Sequence, residues 1–224
     1  MEIFDINKFK KISKTKLFGK NIIYLKKIDS TNSYASILEK KIASSGKIGS
    51  SSKLNGTVIL SETQSHGRGR FGRAWLSPAG GLWFTIMLVA PFEEKELPNT
   101  TVITAISIAE ILRKDYSIRA YIKWPNDIYY KKNKLGGILT ETEKVKGNVF
   151  LNIGIGLNVN LDMEDFKPYA GKAISVKSIT GKVADREMLL SKILYNFEKY
   201  YEYYIKTKDL KTIFNKMENF FVCE

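Results

Sequence analysis

Gly56-Thr57-Val58-Ile59-Leu60-Ser61-Glu62-Thr63-Gln64 and Leu82-Trp83-Phe84-Thr85-Ile86-Met87-Leu88-Val89 bracket the segment Gly67-Arg68-Gly69-Arg70-Phe71-Gly72-Arg73-Ala74-Trp75. The two outer runs are rich in β-branched and aromatic residues and read as core strands, the first ending in polar residues. The inner segment alternates glycine with arginine and closes on an aromatic plane. Glycines let the main chain approach an anion and adopt positive φ, successive N–H groups form an anion-binding nest, and guanidinium groups offer forked donors to carboxylate or phosphate. Held between two scaffold strands, such a loop suits a small anionic ligand. The same residues also suit a plain surface loop or an Arg-Gly contact to nucleic acid, so the rest of the chain has to decide.

With 224 residues the chain can bury a full core, which favours one α+β domain. No apolar run reaches the length of a membrane span, and Met1 to Lys20 lacks the apolar region of a signal peptide, so the cytoplasm is the expected location. A single cysteine, Cys223, excludes an intrachain disulfide and a cysteine metal cluster, and reads as an incidental tail residue. His66 is the only histidine, which removes zinc sites built on several histidines and leaves a Ser-His-Asp arrangement only that one residue. The formal net charge of +13 favours acidic partners, although lysines spread over Lys8 to Lys20, Lys131 to Lys134 and Lys206 to Lys216 read first as solvated faces.

The chain begins with a short amphipathic stretch. A strand follows at Asn21 to Leu25, and Asp29-Ser30-Thr31-Asn32 supplies capping residues for a helix over Ser33 to Ser45. Ser44 to Asn55 reads as a mobile connection. Pro98 to Asp115 carries the apolar periodicity of a largely buried helix. Strands are expected at Ala120 to Lys123, Ile128 to Lys131 and Leu135 to Glu143, with a turn at Lys132-Asn133, and again at Asn148 to Ile155. Helices over Asp185 to Ile205 and Leu210 to Phe220 complete the pattern. Neighbouring strands with helices set apart imply an α+β fold with a mixed or antiparallel central sheet and flanking helices.

Three further segments carry chemistry. Lys123-Trp124-Pro125-Asn126-Asp127 ends a strand at a proline and is dense in functional side chains. At ~4 Å and an effective dielectric of about 20, two like charges repel by roughly 4 kcal/mol, so Lys123 is placed to let two anions react; the plain alternative is a surface turn. Lys134-Leu135-Gly136-Gly137-Ile138-Leu139-Thr140-Glu141 and Gly154-Ile155-Gly156-Leu157-Asn158-Val159-Asn160 put glycines inside strands, which marks bulges or close approach of a ligand.

Together with Asp29-Ser30-Thr31-Asn32 and Glu62-Thr63-Gln64, these blocks occur over about 130 residues in an order that resembles the biotin protein ligases. The resemblance implies a biotin/lipoate ligase catalytic domain similar to class II aminoacyl-tRNA synthetases. It also implies a two-step reaction. Biotin's carboxylate attacks the α-phosphorus of ATP to give biotinyl-5′-AMP and pyrophosphate, and a lysine of a biotin carboxyl carrier protein then takes the biotinyl group.

By the same resemblance Lys123, Arg68 and Arg70 are catalytic through electrostatics. Biotin is held by Ser30, Thr31, Asn32, Gln64, Gly67, Arg68, Lys123, Gly136, Gly137 and Gly154. ATP and the adenylate are held by Arg68, Arg70, Trp75, Lys123, Asn126, Gly156 and Asn158, with Trp75 covering the adenine and Asn158 reading its edge. Mg²⁺ accompanies the ATP phosphates, its protein ligands left open. The glycine-rich loop, residues 65 to 76, is expected to order over the water-sensitive adenylate.

About 20 residues precede the first strand, too few for the winged helix-turn-helix found in relatives that bind DNA, and the chain stops where relatives carry a small SH3-like domain. The expectation is a monofunctional ligase spanning residues 1 to 224 with no DNA partner and no membrane partner, and with a homodimer through a sheet edge left open. Rival readings are a lipoate or octanoate ligase, which lacks the arginine-rich and Lys-Trp-Pro-Asn-Asp blocks, a basic nucleic-acid-binding module, and a biotin-binding domain that has lost its chemistry.

Overall fold

Eight strands form one mixed sheet in the order β1-β2-β3-β7-β6-β5-β4-β8. The coordinates are a computed structural model that describes residues 3–44, 54–90, 94–145, 148–169 and 172–222. The strands are β1 Ile22–Ile28, β2 Val58–Gln64, β3 Leu82–Val89, β4 Tyr121–Lys123, β5 Asp127–Tyr130, β6 Asn133–Val145, β7 Asn148–Leu157 and β8 Phe221–Val222. The β1–β2 and β4–β8 pairs are parallel, and the other pairs are antiparallel. The helices are α1 Ile6–Ile12, α2 Thr31–Ser44, α3 Leu97–Tyr116, α4 Val176–Thr180, α5 Arg186–Thr207 and α6 Leu210–Lys216.

The expected architecture is what forms. α3 and α5 cover one face of the sheet, where Val102, Ile106, Leu189, Leu190, Ile193 and Phe197 meet Val58, Phe84, Ile153 and Leu157 in the main core. α2 covers part of the other face, over Ile59 and Met87. Elements at the chain ends were less legible. α1 forms where the sequence shows only an amphipathic stretch, and no local pattern marks β8. α6 stops at Lys216 rather than Phe220, with a separate 3-10 turn over Glu218–Phe220. Most of the connection read between Ser44 and Asn55, and Cys223, lie outside the described residues.

Two features lock the site-bearing elements in place. Glu62 on β2 is buried. It accepts from the Phe4 N–H (2.6 Å) and Tyr24 hydroxyl (2.9 Å), and Arg186 of α5 donates to it at 2.9 Å and 3.1 Å. Burial pushes its carboxyl up, but the Arg186 pair and the Phe4 N–H outweigh that and hold it below the ordinary value. The second is the start of α2. The Ser30 carbonyl accepts the first helical bond from Tyr34, while the orphan Thr31 N–H donates to Gln64 Oε1 at 2.8 Å. A strand side chain thus caps the helix and joins β2 to α2.

Under α2, Glu39 is fully buried, and neither carboxylate oxygen has an aligned hydrogen bond to the adjacent Asn152 amide. Burial is the largest cause pushing its carboxyl up to about 7, with Glu143 adding to the rise and Asn152 and Lys40 opposing it. The folded protein therefore keeps a proton that the unfolded chain releases at the ordinary carboxylate value. Stability should be full below that value, fall as pH rises toward about 7, and level off above it. Glu39→Gln should remove this slope and stabilise the protein at pH 8 by on the order of 3 kcal/mol. Urea denaturation at pH 5 and pH 8 checks it, and an equal slope in both proteins contradicts it.

Candidate active site

A cavity of ≈ 480 Å³ opens beside the N-terminus of α2, on the face of the sheet opposite α3 and α5. Its floor is the stretch of β6 and β7 where glycines face one another. Gly137 pairs with Gly156, and Leu139 with Gly154. A Cβ at Gly154 would strike the side-chain oxygen of Asn32, and one at Gly156 would lie 2.5 Å from Trp75 Nε1. These glycines therefore admit two side chains brought from distant parts of the chain, an amide at one end of the cavity and an indole at the other.

Ser30, Thr31 and Asn32 are each 4 % exposed and form the amide end with Gln64. The Thr85 hydroxyl lies 2.8 Å from Thr31 Oγ1 and 2.6 Å from Asn32 Oδ1, while Gln64 Nε2 donates to Ser77 Oγ at 2.8 Å. This polar nest is buried and cross-braced, as a site that recognises a small polar head group needs.

The arginine-rich segment folds back as a narrow hairpin over the cavity. Gly69 N–H donates to Arg73 O (2.7 Å), and Trp75 N–H donates to Gly67 O (2.8 Å). Arg68 Nη1 donates to Ser33 Oγ at 2.6 Å, and Arg70 Nη1 to Asn126 Oδ1 at 3.1 Å. Phe71 takes a left-handed conformation (φ 59°) at the tip and is 84 % exposed. Trp75 lies along the glycine floor, with the Lys134 ammonium 5.0 Å from its ring centre and 2.8 Å from Asp127 Oδ1. Leu161, Phe166, Lys172 and Ala173 form the facing wall.

The cavity gathers Ser30, Thr31, Asn32, Gln64, Arg68, Arg70, Trp75, Asn126, Gly137, Gly154, Gly156 and Asn158 from the residues singled out in the sequence. Three others are not in its lining. Gly136 faces the opposite side, where a Cβ would meet Leu157 of the main core, because neighbouring strand residues alternate between faces. Gly67 is needed for chain closure: a Cβ there would collide with the Trp75 carbonyl. Lys123 ends β4 in the same row as Asp127 and Gly137, with its ammonium 6.0 Å from the ring centre of the lining residue Tyr129.

Asn158 lines the cavity, yet its Nδ2 donates to the Lys134 and Ile174 carbonyls, so part of the amide braces the wall. The sequence reading missed Lys134, Asp127, Tyr129 and the wall residues Leu161, Phe166, Lys172 and Ala173. Lys134 and Asp127 stood inside blocks already singled out, and only the β5–β6 register shows that they face the cavity. Among the described residues no group of three or more His, Cys, Asp or Glu side chains is placed to hold a metal ion.

The family model described as biotin/lipoate A/B protein ligase matches residues 24–160, a span that contains most of this cavity. The chain belongs to the biotin/lipoate A/B protein ligase family. It is 33% identical over 195 residues to a bifunctional ligase/repressor from Bacillus spizizenii, covering 86% of this chain and 57% of that protein. The chain thus spans somewhat over half the length of that curated relative. A biotin protein ligase from Aquifex aeolicus, solved with biotin and ATP, superposes with a TM-score of 0.69 at 30% identity, over 91% of this chain and 79% of that one. A lipoate complex of LipL1 from P. falciparum also superposes (TM-score 0.53, covering 81% and 63%), and at 17% identity it shares the fold alone.

Gly154→Ala should destabilise the ligase fold by about 1–3 kcal/mol, because the added methyl group must push out the buried Asn32 amide. A shift in the urea midpoint reads this. An unchanged midpoint would mean that Asn32 does not fill the space left by Gly154.

Proposed function

We propose that this chain activates biotin with ATP as biotinyl-5′-AMP and transfers the biotinyl group to a lysine of a biotin carboxyl carrier protein, in the cytoplasm. The observation that carries this reading is the buried polar end of the cavity. Ser30, Thr31, Asn32 and Gln64 offer paired donors and acceptors there, and the ureido ring of biotin has two N–H donors and one carbonyl acceptor. A lipoyl ring has no such groups and would leave these buried partners unmatched. The Aquifex aeolicus biotin protein ligase solved with biotin and ATP supports the same reading. The arginines turn toward the cavity and its walls, which favours a small ligand over a nucleic-acid surface.

In this reading the acid lies with its ring at the amide end and its carboxylate toward the hairpin. ATP places its base near Trp75 and its α-phosphate between Arg68, Arg70 and the Lys123 side. A carboxylate oxygen attacks the α-phosphorus, the bond to the β-phosphate oxygen breaks, and pyrophosphate leaves. An amine then attacks the acyl carbon and AMP leaves. The chain's cations lower the repulsion between the reacting anions and stabilise charge on the phosphoryl oxygens. Lys123 has to turn from the Tyr129 ring into the cavity to do so, a move its four-carbon stem permits. Mg²⁺ enters with ATP as part of that substrate. Asn158 keeps its side-chain oxygen for the adenine edge while its Nδ2 braces the wall.

We also propose that the chain acts as one catalytic unit, which its single sheet and shared core support, and that any homodimer uses a terminal strand, β1 or β8.

Two substitutions separate the roles. Lys123→Ala should slow adenylate formation by about 100-fold or more while biotin affinity stays within about threefold. Gly156→Ala should raise the KM for ATP at least about tenfold by displacing the Trp75 indole, again with biotin affinity preserved. Calorimetry for biotin and pyrophosphate release for turnover measure both. Normal adenylation by Lys123→Ala would remove that residue from the mechanism.

A further inference from the structure

One carboxylate ties the floor, the helix and the hairpin together. Glu141 on β6 accepts from Asn32 Nδ2 at 2.7 Å, and Arg68 Nη2 approaches its oxygens at 3.4 Å and 3.5 Å. A carboxylate only accepts, so the Asn32 amide must turn its NH₂ toward Glu141 and its oxygen toward Thr85. Arg68 also donates to Ser33, one residue along α2. The next side chain on this face of β6, Glu143, pairs with Lys40 of the same helix at 3.3 Å.

We propose that Glu141 is a positioning residue: it sets the Asn32 amide for the ligand's polar head and pins the Arg68 hairpin to α2 and β6 in the state that receives the acid. The two bonds differ in kind. That to Asn32 is short and comes from a nearly buried amide, whereas that to Arg68 is long, with both side chains about 40 % exposed (42% and 39%). An exposed pair of this length is weak. Arg68 can therefore leave Glu141 for an anion on the ligand at little cost, while Asn32 stays in place.

The inference deepens the proposed function and rests on it only for the biotin arm of its test. Without ligand, Glu141→Gln should speed hydrogen exchange of amides in residues 67–75 by about two- to fivefold, with β3 unchanged, because the charge holding the hairpin is gone. The KM for biotin should rise about tenfold with a much smaller change in kcat. Ser33→Ala, which touches Arg68 but not Asn32, should speed hairpin exchange while raising the KM for biotin clearly less than Glu141→Gln does, because the Asn32 amide keeps its partner. A merely structural Glu141 would lower the melting temperature without this split.

Unchanged hairpin exchange in Glu141→Gln, or an unchanged KM for biotin, overturns the proposal. Faster hairpin exchange in a protein whose wild type forms no adenylate from biotin would keep the pinning role and reject the biotin reading instead.

Discussion

The site depends on positions where the sheet has no side chains. Gly137, Gly154 and Gly156 leave the α2-side face of β6 and β7 bare over a short span, in a sheet whose other face is filled by isoleucine and leucine. Glycine inside a strand weakens it, and the loss is offset because each bare spot is filled by a group from elsewhere. Asn32 settles over Gly154 and Trp75 over Gly156, so the polar end and the aromatic end of the cavity are set by the same strand. An alanine at either position forces one of these groups out. The spacing of the two ends is thus the spacing of alternate residues on a strand, a distance that loops alone would not hold.

Charge at the site is arranged to be exchanged. Arg68 rests on Ser33 and Glu141, Arg70 on Asn126, and Lys134 on Asp127. These three cations each have a partner among the cavity's own residues, which offsets part of the repulsion between them. Pairs this exposed contribute at most about 1 kcal/mol, and an incoming anion can take over a guanidinium without large cost. The hairpin bonds at Gly69 and Trp75 hold the loop's own shape while its arginines change partners.

Much of this was legible in the residues. Strand patterns, the helix after Asp29-Ser30-Thr31-Asn32 and the glycine-arginine loop between β2 and β3 each follow from local chemistry, and together they gave the fold class and most of the cavity. What escaped were relations across the sheet. Gly136 and Gly137 are adjacent in the chain, and only the register with β7 tells which of them faces the cavity. Lys134 looked like another surface lysine until the β5–β6 pairing put it beside Asp127 and above Trp75. Nothing local marks Glu141, because its partners, Asn32 and Arg68, lie 109 and 73 positions away. α1, with seven residues, and β8, with two, are too short for periodicity to register, and tertiary contacts decide them.

The most direct test of the central claim is mass spectrometry of the chain after incubation with Mg²⁺-ATP and either biotin or lipoate, looking for the acyl-adenylate and pyrophosphate. A buried Ser30-Thr31-Asn32-Gln64 end beside an arginine hairpin predicts biotinyl-5′-AMP with biotin and no adenylate with lipoate. Lipoyl-AMP in place of biotinyl-AMP, or neither adenylate from protein that is folded and binds ATP, would contradict it.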